Sequence, residues 1–478
     1  MPLHTMKLKT STVGIIGFFI LSCHLPSSAQ MPITLPDILS DHAVLERNSN
    51  INLWGKGPAG KELKIVASWN SHDTVRLVIP VTGMWNVPIS TPSEGGPYQI
   101  LFKTDNETKT ISDIQTGDVW LCSGQSNMEF NMRWGIDTVS GKYHVKPNPK
   151  IRFFQVDRNY DYIPVSNVKG KWIVCDANTV QDFSTVGYFT GRKIQEKTNL
   201  PIGLIGSYWG GTNIQAWMPA SCFDRPELDP TLMHMDAYDG CPRGYSILYN
   251  AMIYPLFNYT IKGCVWYQGE TNVDYDWMRY GKLLSSMIAA WRFGMNNNFP
   301  FYTIQIASWN GYKGRHAAYL REQEAQLVHT VPNYGTISIL DLTDDTTNIH
   351  PKVKMEVGER MADLILQDIY HQPTVKALAP TIVGTIFYDG SAEAQYVSSS
   401  ELHMKGNEIY CFEIAGSDSS FHKAKAVLEK GKKIKIFSKD VRTPKYVRYC
   451  FQNTSIPNLF DDAGLPLNPY RSDSFIDR

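Results

Sequence analysis

The chain has 478 residues, of which 43% are hydrophobic and 19% are charged. This composition is typical of globular proteins, and the length predicts two or three domains. Lys plus Arg and Asp plus Glu each number 46, so the charge balance gives no reason to expect nucleic acid or an anionic membrane surface as a partner.

The N-terminus has the pattern of a secretory signal. Two lysines precede an apolar run over residues 13–21, and small residues up to Ala29 indicate cleavage after that alanine. We therefore expect a signal peptide over residues 1–29 and a mature chain that is periplasmic or extracellular. Lipidation at Cys23 is the alternative interpretation. The run is too short for a stable bilayer span, and no later segment has transmembrane character.

The cysteines and the short motifs predict no metal site. Seven of the eight cysteines follow the predicted leader, scattered and without a CxxC pair. Their spacing indicates neither zinc binding nor a dense disulfide framework, although Cys222 and Cys241 are candidates for one disulfide. The sequence also lacks HExxH, calcium-loop, phosphate-loop and dinucleotide signatures, so we expect no metal and no cofactor.

Three regions follow one another along the mature chain. Residues 31–112 alternate apolar and polar positions between turn formers, which predicts a small N-terminal β-sandwich. Residues 113–375 alternate strands with helices, which predicts a mostly parallel sheet with helices on both faces. Residues 376–478 return to β runs that we expect to pack on the core or the sandwich. In the middle region the predicted strands are 119–122, 151–156, 202–205, 263–267, 301–306 and 336–340, and the predicted helices include 280–291 and 317–328.

The end of the first predicted strand carries a candidate nucleophile. Ligands of such sheets bind at the carboxyl ends of the strands, so chemistry is expected directly after them. Gly124 permits a tight turn, and Ser126 follows where strand gives way to helix. There a serine hydroxyl points into the crevice, and backbone N–H groups can stabilise an oxyanion. The alternative is that Ser126 only caps a helix.

Two further strand ends carry groups that can bind a developing oxyanion. Gly210 and Gly211 follow one strand, and paired glycines let a backbone N–H approach a ligand closely. Gln268 and Asn272 follow another strand, and each has a side-chain amide that can donate a hydrogen bond. A plain glycine turn and a solvated polar loop are the respective alternatives.

His350 is the candidate general base. Pro351 follows it and suits a first helical turn, and apolar residues then recur at helical spacing. The sequence therefore predicts His350 at a helix N-terminus, where the helix dipole disfavours imidazolium and keeps the ring neutral. A packing or surface role is the alternative for any single histidine.

Taken in this order, these elements resemble the SGNH hydrolases, and within them the sialate O-acetylesterase-like branch of carbohydrate esterases. The blocks in the core are GDVWLCSGQSNME at residues 117–129, WGGT at 209–212, WYQGE at 266–270 and IHP at 349–351. Similar blocks outside the core are DHAVL at 41–45, WG at 54–55, FEIAG at 412–416 and VRY at 447–449. The resemblance thus covers nearly the whole mature chain.

The resemblance implies a fold and an activity. The fold is α/β, with a flavodoxin-like, three-layer SGNH hydrolase core between the β-sandwich and the C-terminal β segment. The activity is carbohydrate O-acetylesterase, in which Ser126 attacks the acetyl carbonyl and His350 accepts its proton, through an acetyl-enzyme and without a cofactor. N–H groups of Ser126 and of the glycine pair, with one of the two side-chain amides, would stabilise the oxyanion.

The sequence departs from the SGNH pattern at the acidic member of the triad. SGNH enzymes often place Asp three residues before the histidine, where this chain has Thr347. Either a backbone carbonyl orients the histidine in a Ser–His dyad, or Glu270, Asp344 or Asp345 reaches it. The sequence leaves these alternatives open.

Two other functions are compatible with the sequence. A carbohydrate-binding protein that has lost catalysis would use aromatic residues such as Trp134, Trp209 and Trp217. An esterase for lipid or aryl esters is the other; a lipid-facing enzyme would be expected to carry a long apolar lid, and the sequence has none.

The partner that the resemblance implies is an acetylated carbohydrate, either sialic acid or a plant glycan such as acetylated xylan. A sialic acid carboxylate requires a cationic side chain, for which Arg133, Arg315 and Arg321 are candidates. These arginines do not decide between the sugars, and the sequence does not specify an oligomeric state.

Overall fold

A computed structural model describes residues 31–136, 145, 147–229 and 240–476. The predicted signal peptide and Cys23 lie outside these residues. Within the described ranges, no helix is long and apolar enough to cross a membrane.

The first strands form two antiparallel sheets that pack on each other. β2 pairs with β5, while β3 pairs with β4 and β6, and β6 pairs with the first half of β7. Trp85 of one sheet contacts Phe102 of the other, with ring centroids 5.7 Å apart. The strands are β1 Val44–Glu46, β2 Asn50–Lys56, β3 Glu62–Ala67, β4 Thr74–Val78, β5 Met84–Ser90, β6 Gly95–Lys103 and β7 Thr108–Gly124.

β7 continues from this region into a second, larger sheet. Its strand order is β13-β12-β11-β7-β10-β8-β9, and every neighbouring pair is parallel except β8 with β9. The prediction of a mostly parallel sheet is therefore confirmed. The additional strands are β8 Asn148–Gln155, β9 Trp172–Cys175, β10 Ile202–Tyr208, β11 Gly263–Tyr267, β12 Phe301–Ile304 and β13 Tyr334–Ile337.

Helices cover both faces of this sheet. Alternate side chains of a strand point to opposite faces, so Leu121 of β7 packs in one core, with α4 and α5, while Trp120 packs in another, with α2 and α6. The strands inside the sheet are thus buried on both sides, which explains their continuous apolar sequences. The helices are α1 Ser126–Glu129, α2 Thr185–Thr198, α3 Glu270–Val273, α4 Tyr280–Gly294, α5 His316–Gln326 and α6 Lys354–Asp368.

The C-terminal segment is antiparallel β structure with its own core. It packs on the parallel-sheet region through buried polar contacts. Arg315 at the start of α5 pairs with Glu413 at 2.6 Å, and the buried Asn453 amide donates to three backbone carbonyls of residues 312–314. The strands are β14 Thr381–Tyr388, β15 Ser391–Val397, β16 His403–Met404, β17 Phe412–Ala415, β18 His422–Lys423, β19 Lys425–Glu429, β20 Lys433–Phe437, β21 Tyr446–Tyr449, β22 Leu459–Phe460 and β23 Tyr470–Arg471.

Candidate active site

The turn after β7 presents Ser126 at the carboxyl edge of the parallel sheet. Gly124 ends the strand with φ of 138°, and a Cβ at this position would lie 2.1 Å from the Tyr267 carbonyl oxygen. Only glycine fits there, because β7 and β11 approach too closely for any side chain. Ser126 then begins α1 with its side chain partly exposed.

His350 meets Ser126 across 224 residues of sequence. Its Nε2 lies 2.8 Å from the Ser126 Oγ, which is hydrogen-bond distance. Burial, and secondly the charge of Lys354, lower the pKa of His350 to about 4. The ring is therefore neutral at pH 7, and an Nε2 lone pair can accept the serine proton.

The helix after His350 begins later than the sequence predicted. α6 starts at Lys354, and Pro351 precedes it in irregular structure, so His350 does not cap the helix. The expected neutral imidazole is present for a different reason, namely burial and the nearby lysine. The helical spacing of apolar residues located α6 correctly but could not define its first turn.

No carboxylate bonds the His350 ring within the described parts of the chain. Glu270 instead accepts a hydrogen bond from Asn127. Asp345 bonds Thr347, and Asp344 is exposed. Among the described residues, the ring contacts the Ser126 hydroxyl, and neither a carboxylate nor a backbone carbonyl is hydrogen-bonded to it.

The glycine pair lies beside Ser126. A Cβ on Gly210 would be 3.2 Å from the Ser126 Cβ, and the Gly210 N–H donates to the Glu129 carboxylate at 2.8 Å. Gly211 has φ of 73°, and a Cβ there would meet the Cys241 sulfur at 2.5 Å. In the part of the chain that the structure describes, no hydrogen bond occupies the N–H of Ser126 or Gly211.

The two predicted side-chain amides are not directed at Ser126. Gln268 and Asn272 are fully buried. The Gln268 amide donates to Gln125, Asn272 and a backbone carbonyl, and the Asn272 amide donates to Gln215. The N–H groups of both amides already have protein acceptors, so these amides stabilise the packing of neighbouring loops.

The cationic and aromatic residues near the glycine pair differ from those that the sequence suggested. Arg158 bonds Glu129 and lies 5.3 Å from the centre of the Trp209 ring, and Arg243 donates to the Gly211 carbonyl. Neither arginine stood out in the sequence, because each comes close to Ser126 only in the fold. The predicted candidates are engaged elsewhere: Arg133 with Asp182, Arg315 with Glu413, and Arg321 in the interior, while Trp217 is buried and Trp134 is exposed.

Cys222 and Cys241, the suggested disulfide pair, are both free thiols. Within the described ranges, no group of three or more His, Cys, Asp or Glu residues is arranged to hold a metal ion.

Comparison with known proteins places the chain in a family. Residues 116–367, more than half of the chain, match the family described as carbohydrate esterase, sialic acid-specific acetylesterase. The chain belongs to this family. It is thus a carboxylic ester hydrolase of the carbohydrate esterase type, as the motifs predicted.

Known relatives match most of this chain in sequence. Human sialate O-acetylesterase is 26% identical over 420 residues, which is 80% of this chain and 80% of the relative. The rat enzyme of that name is 26% identical over 411 residues, or 73% of this chain and 76% of the relative. The crystal structure of a carbohydrate acetylesterase from Xanthomonas citri superposes with a TM-score of 0.82 at 30% identity, over 93% of this chain and all of that one.

Gly124→Ala tests whether the close approach of β7 and β11 holds the nucleophile turn. We expect the free energy of unfolding to fall by about 3 kcal/mol, because the new methyl group meets a backbone carbonyl that cannot move away. Urea unfolding measures this change. Gly384→Ala is the control, since that glycine has open space around it and no positive φ. Equal stability of the two variants would contradict the steric argument.

Proposed function

We propose that the chain is an exported carbohydrate O-acetylesterase that works through a Ser126 acetyl-enzyme with His350 as the general base. The observation that carries the proposal is the 2.8 Å contact between the Ser126 hydroxyl and the neutral His350 ring at the carboxyl edge of the sheet. Membership of the esterase family and the SGNH-like order of the sequence blocks support it. Export rests on the signal-like N-terminus alone.

The chemistry follows from the positions of these groups. His350 Nε2 takes the proton as Ser126 Oγ adds to the acetyl carbonyl. The Ser126 N–H and a glycine N–H of the Gly210–Gly211 loop stabilise the oxyanion, and a carbonyl that reaches Gly210 takes the place of the Glu129 carboxylate. The imidazolium protonates the departing sugar oxygen. Water then attacks the acetyl-enzyme with His350 again as the base, which releases acetate and restores Ser126.

The substrate class we propose is an O-acetylated sugar, with O-acetylated sialic acid as the first candidate. Arg158 and Arg243 beside the glycine pair supply the positive charge that a sialic acid carboxylate requires. Acetylated xylo-oligosaccharides are the second candidate, for which the half-buried Trp209 ring offers a surface on which an uncharged sugar can stack.

Ser126→Ala and His350→Ala test the mechanism. Each is expected to lower acetate release by about 10⁴-fold or more with little change in melting temperature, because the nucleophile or its base is removed. Acetate is measured with O-acetylated sialic acid and acetylated xylo-oligosaccharides in parallel. Ser71→Ala and His72→Ala, at exposed positions of the N-terminal region, are the controls. Turnover that survives Ser126→Ala would refute the proposed nucleophile.

The pH dependence tests the state of the histidine. A general base acts only when neutral, so kcat/KM should fall as pH drops through the pKa of His350. That pKa is about 4, so we expect full activity near pH 6, where an unperturbed histidine is largely protonated. Initial rates on an aryl acetate between pH 3.5 and 8 measure the profile. A half-maximal point at pH 6.5 or above would contradict the buried, lysine-flanked environment.

A further inference from the structure

A buried polar cluster lies beneath the Ser126–His350 contact and takes no part in the steps above. It consists of Asn127 in α1, Glu270 in α3 and Lys354 at the start of α6. All three side chains are buried, and Lys354 has no exposed surface. Burial of a lysine and a carboxylate is costly unless their hydrogen-bonding groups are matched, so their partners are informative.

Asn127 lies between the two charged groups. The Lys354 ammonium donates to its Oδ1 at 2.6 Å, and its Nδ2 donates to the Glu270 carboxylate. Nδ2 also donates to the Ile349 carbonyl at 3.1 Å, so both amide hydrogens and the amide oxygen have partners. A reversed amide would direct its N–H₂ at the ammonium and its oxygen at the carboxylate. The Lys354 donor on one side and the Glu270 acceptor oxygen on the other therefore fix which way the amide points.

The bonds of Asn127 connect the two halves of the dyad. Asn127 follows Ser126 in the chain, and Ile349, whose carbonyl it holds, precedes His350. We propose that Glu270 and Lys354 act through Asn127 as positioning residues, which lock the loop carrying His350 onto the turn carrying Ser126. The inference rests on the proposed function, since it explains how Ser126 and His350 are held in position for that reaction. It gives Glu270, a candidate partner of His350 from the sequence, an indirect role.

The charges around Lys354 add an electrostatic effect to this support. Glu270 and Asp344 are the carboxylates that face it, and the rings of Phe130 and Tyr267 have their centres 5.1 and 5.2 Å from its nitrogen. Burial lowers the pKa of Lys354 to about 7, although both carboxylates raise it. The pKa of His350 lies below that of Lys354. Lys354 is therefore charged in the pH range where His350 titrates, and its charge disfavours the imidazolium form.

Lys354→Met is the variant that separates positioning from general stability. It keeps the unbranched shape and most of the length of the side chain while removing the charge and the bond to Asn127. Arg360→Met is the matched control, because Arg360 is also a cation of α6 and pairs with Asp341 at 2.7 Å but makes no bond to Asn127. Melting temperature, kcat and KM on an aryl acetate, and the pH profile of kcat/KM are measured for both variants and the unmutated full chain.

We expect Lys354→Met to lower kcat by about 10²-fold, because a misplaced base fits the transition state poorly, with KM changed less than about twofold. The acid limb of kcat/KM should move to higher pH by roughly one unit, since the lysine charge no longer opposes protonation of His350. Arg360→Met should leave kcat within about twofold and the acid limb in place. A folded Lys354→Met protein with unaltered kcat and acid limb would overturn the inference.

Glu270→Gln decides the question if Lys354→Met does not fold. Its volume is conserved and its side-chain oxygen can still accept from Asn127, but Lys354 loses a facing negative charge. We expect kcat to fall by about tenfold with KM retained, and an unchanged kcat would refute the inference.

A serine-reactive fluorophosphonate separates this inference from the proposed function. If the unmutated chain is not labelled at Ser126, the proposed function fails and the inference falls with it. If the unmutated chain and Lys354→Met are labelled equally fast, only the positioning role is lost.

Discussion

The position of β7 between β10 and β11 determines where the chemistry can take place. Gly124, the last residue of β7, pairs with Tyr208 on one side and Tyr267 on the other, so three parallel strands end at one level. The segments that follow these strands carry Ser126, the glycine pair and Glu270. Sequence-distant groups are therefore brought together by strand register, and the absence of a Cβ on Gly124 lets the backbones approach closely enough.

Burial sets the chemical state of the groups at this edge. In a triad, a carboxylate beside the imidazole raises its basicity, whereas here burial and Lys354 lower the pKa of His350. The ring is then almost wholly neutral at pH 7, but each proton transfer to it is less favourable. Catalysis by such a dyad depends more on oxyanion stabilisation and on accurate placement of the base. A rigid support beneath the dyad is consistent with that demand.

The sequence predicted the elements whose signals are local. Continuous apolar runs located five of the six predicted strands of the parallel sheet within a few residues, and for β7 they located only the carboxyl-terminal part, because its first half pairs with β6 and has the mixed polarity of a half-exposed strand. Ser126 and His350 were singled out because each stands within a recognisable motif, Ser126 at the boundary between β7 and α1 and His350 in the irregular segment before α6. Nothing in the sequence singled out Lys354, since a lysine in a helix is ordinarily solvated. Its burial is visible only in the fold, where the rings of Phe130 and Tyr267 pack against its ammonium group.

The roles of the amides could not be predicted, for a physical reason. A loop of Gln, Glu and Asn is equally suited to donate to an oxyanion or to brace its neighbours, and the direction of each amide is set by distant acceptors. Thr212, Gln215 and Gln125 are such acceptors for Gln268 and Asn272. The same limit applied to Glu270, because its bond to Asn127 depends on the packing of α1 against the end of β11.

The proposed oxyanion donors differ in their hydrogen bonds before a substrate binds. The Gly210 N–H is engaged by Glu129, which itself bonds Arg158, whereas the Ser126 N–H has no protein acceptor in the described ranges. A carbonyl that approaches Ser126 meets a free donor first, and it replaces a charge-assisted bond only where the second donor is the Gly210 N–H rather than the free Gly211 N–H. Arg158 can retain the displaced carboxylate, since its guanidinium already bonds the other Glu129 oxygen. The exchange at Gly210 thus keeps the Glu129 charge paired, which limits the cost of completing the oxyanion hole.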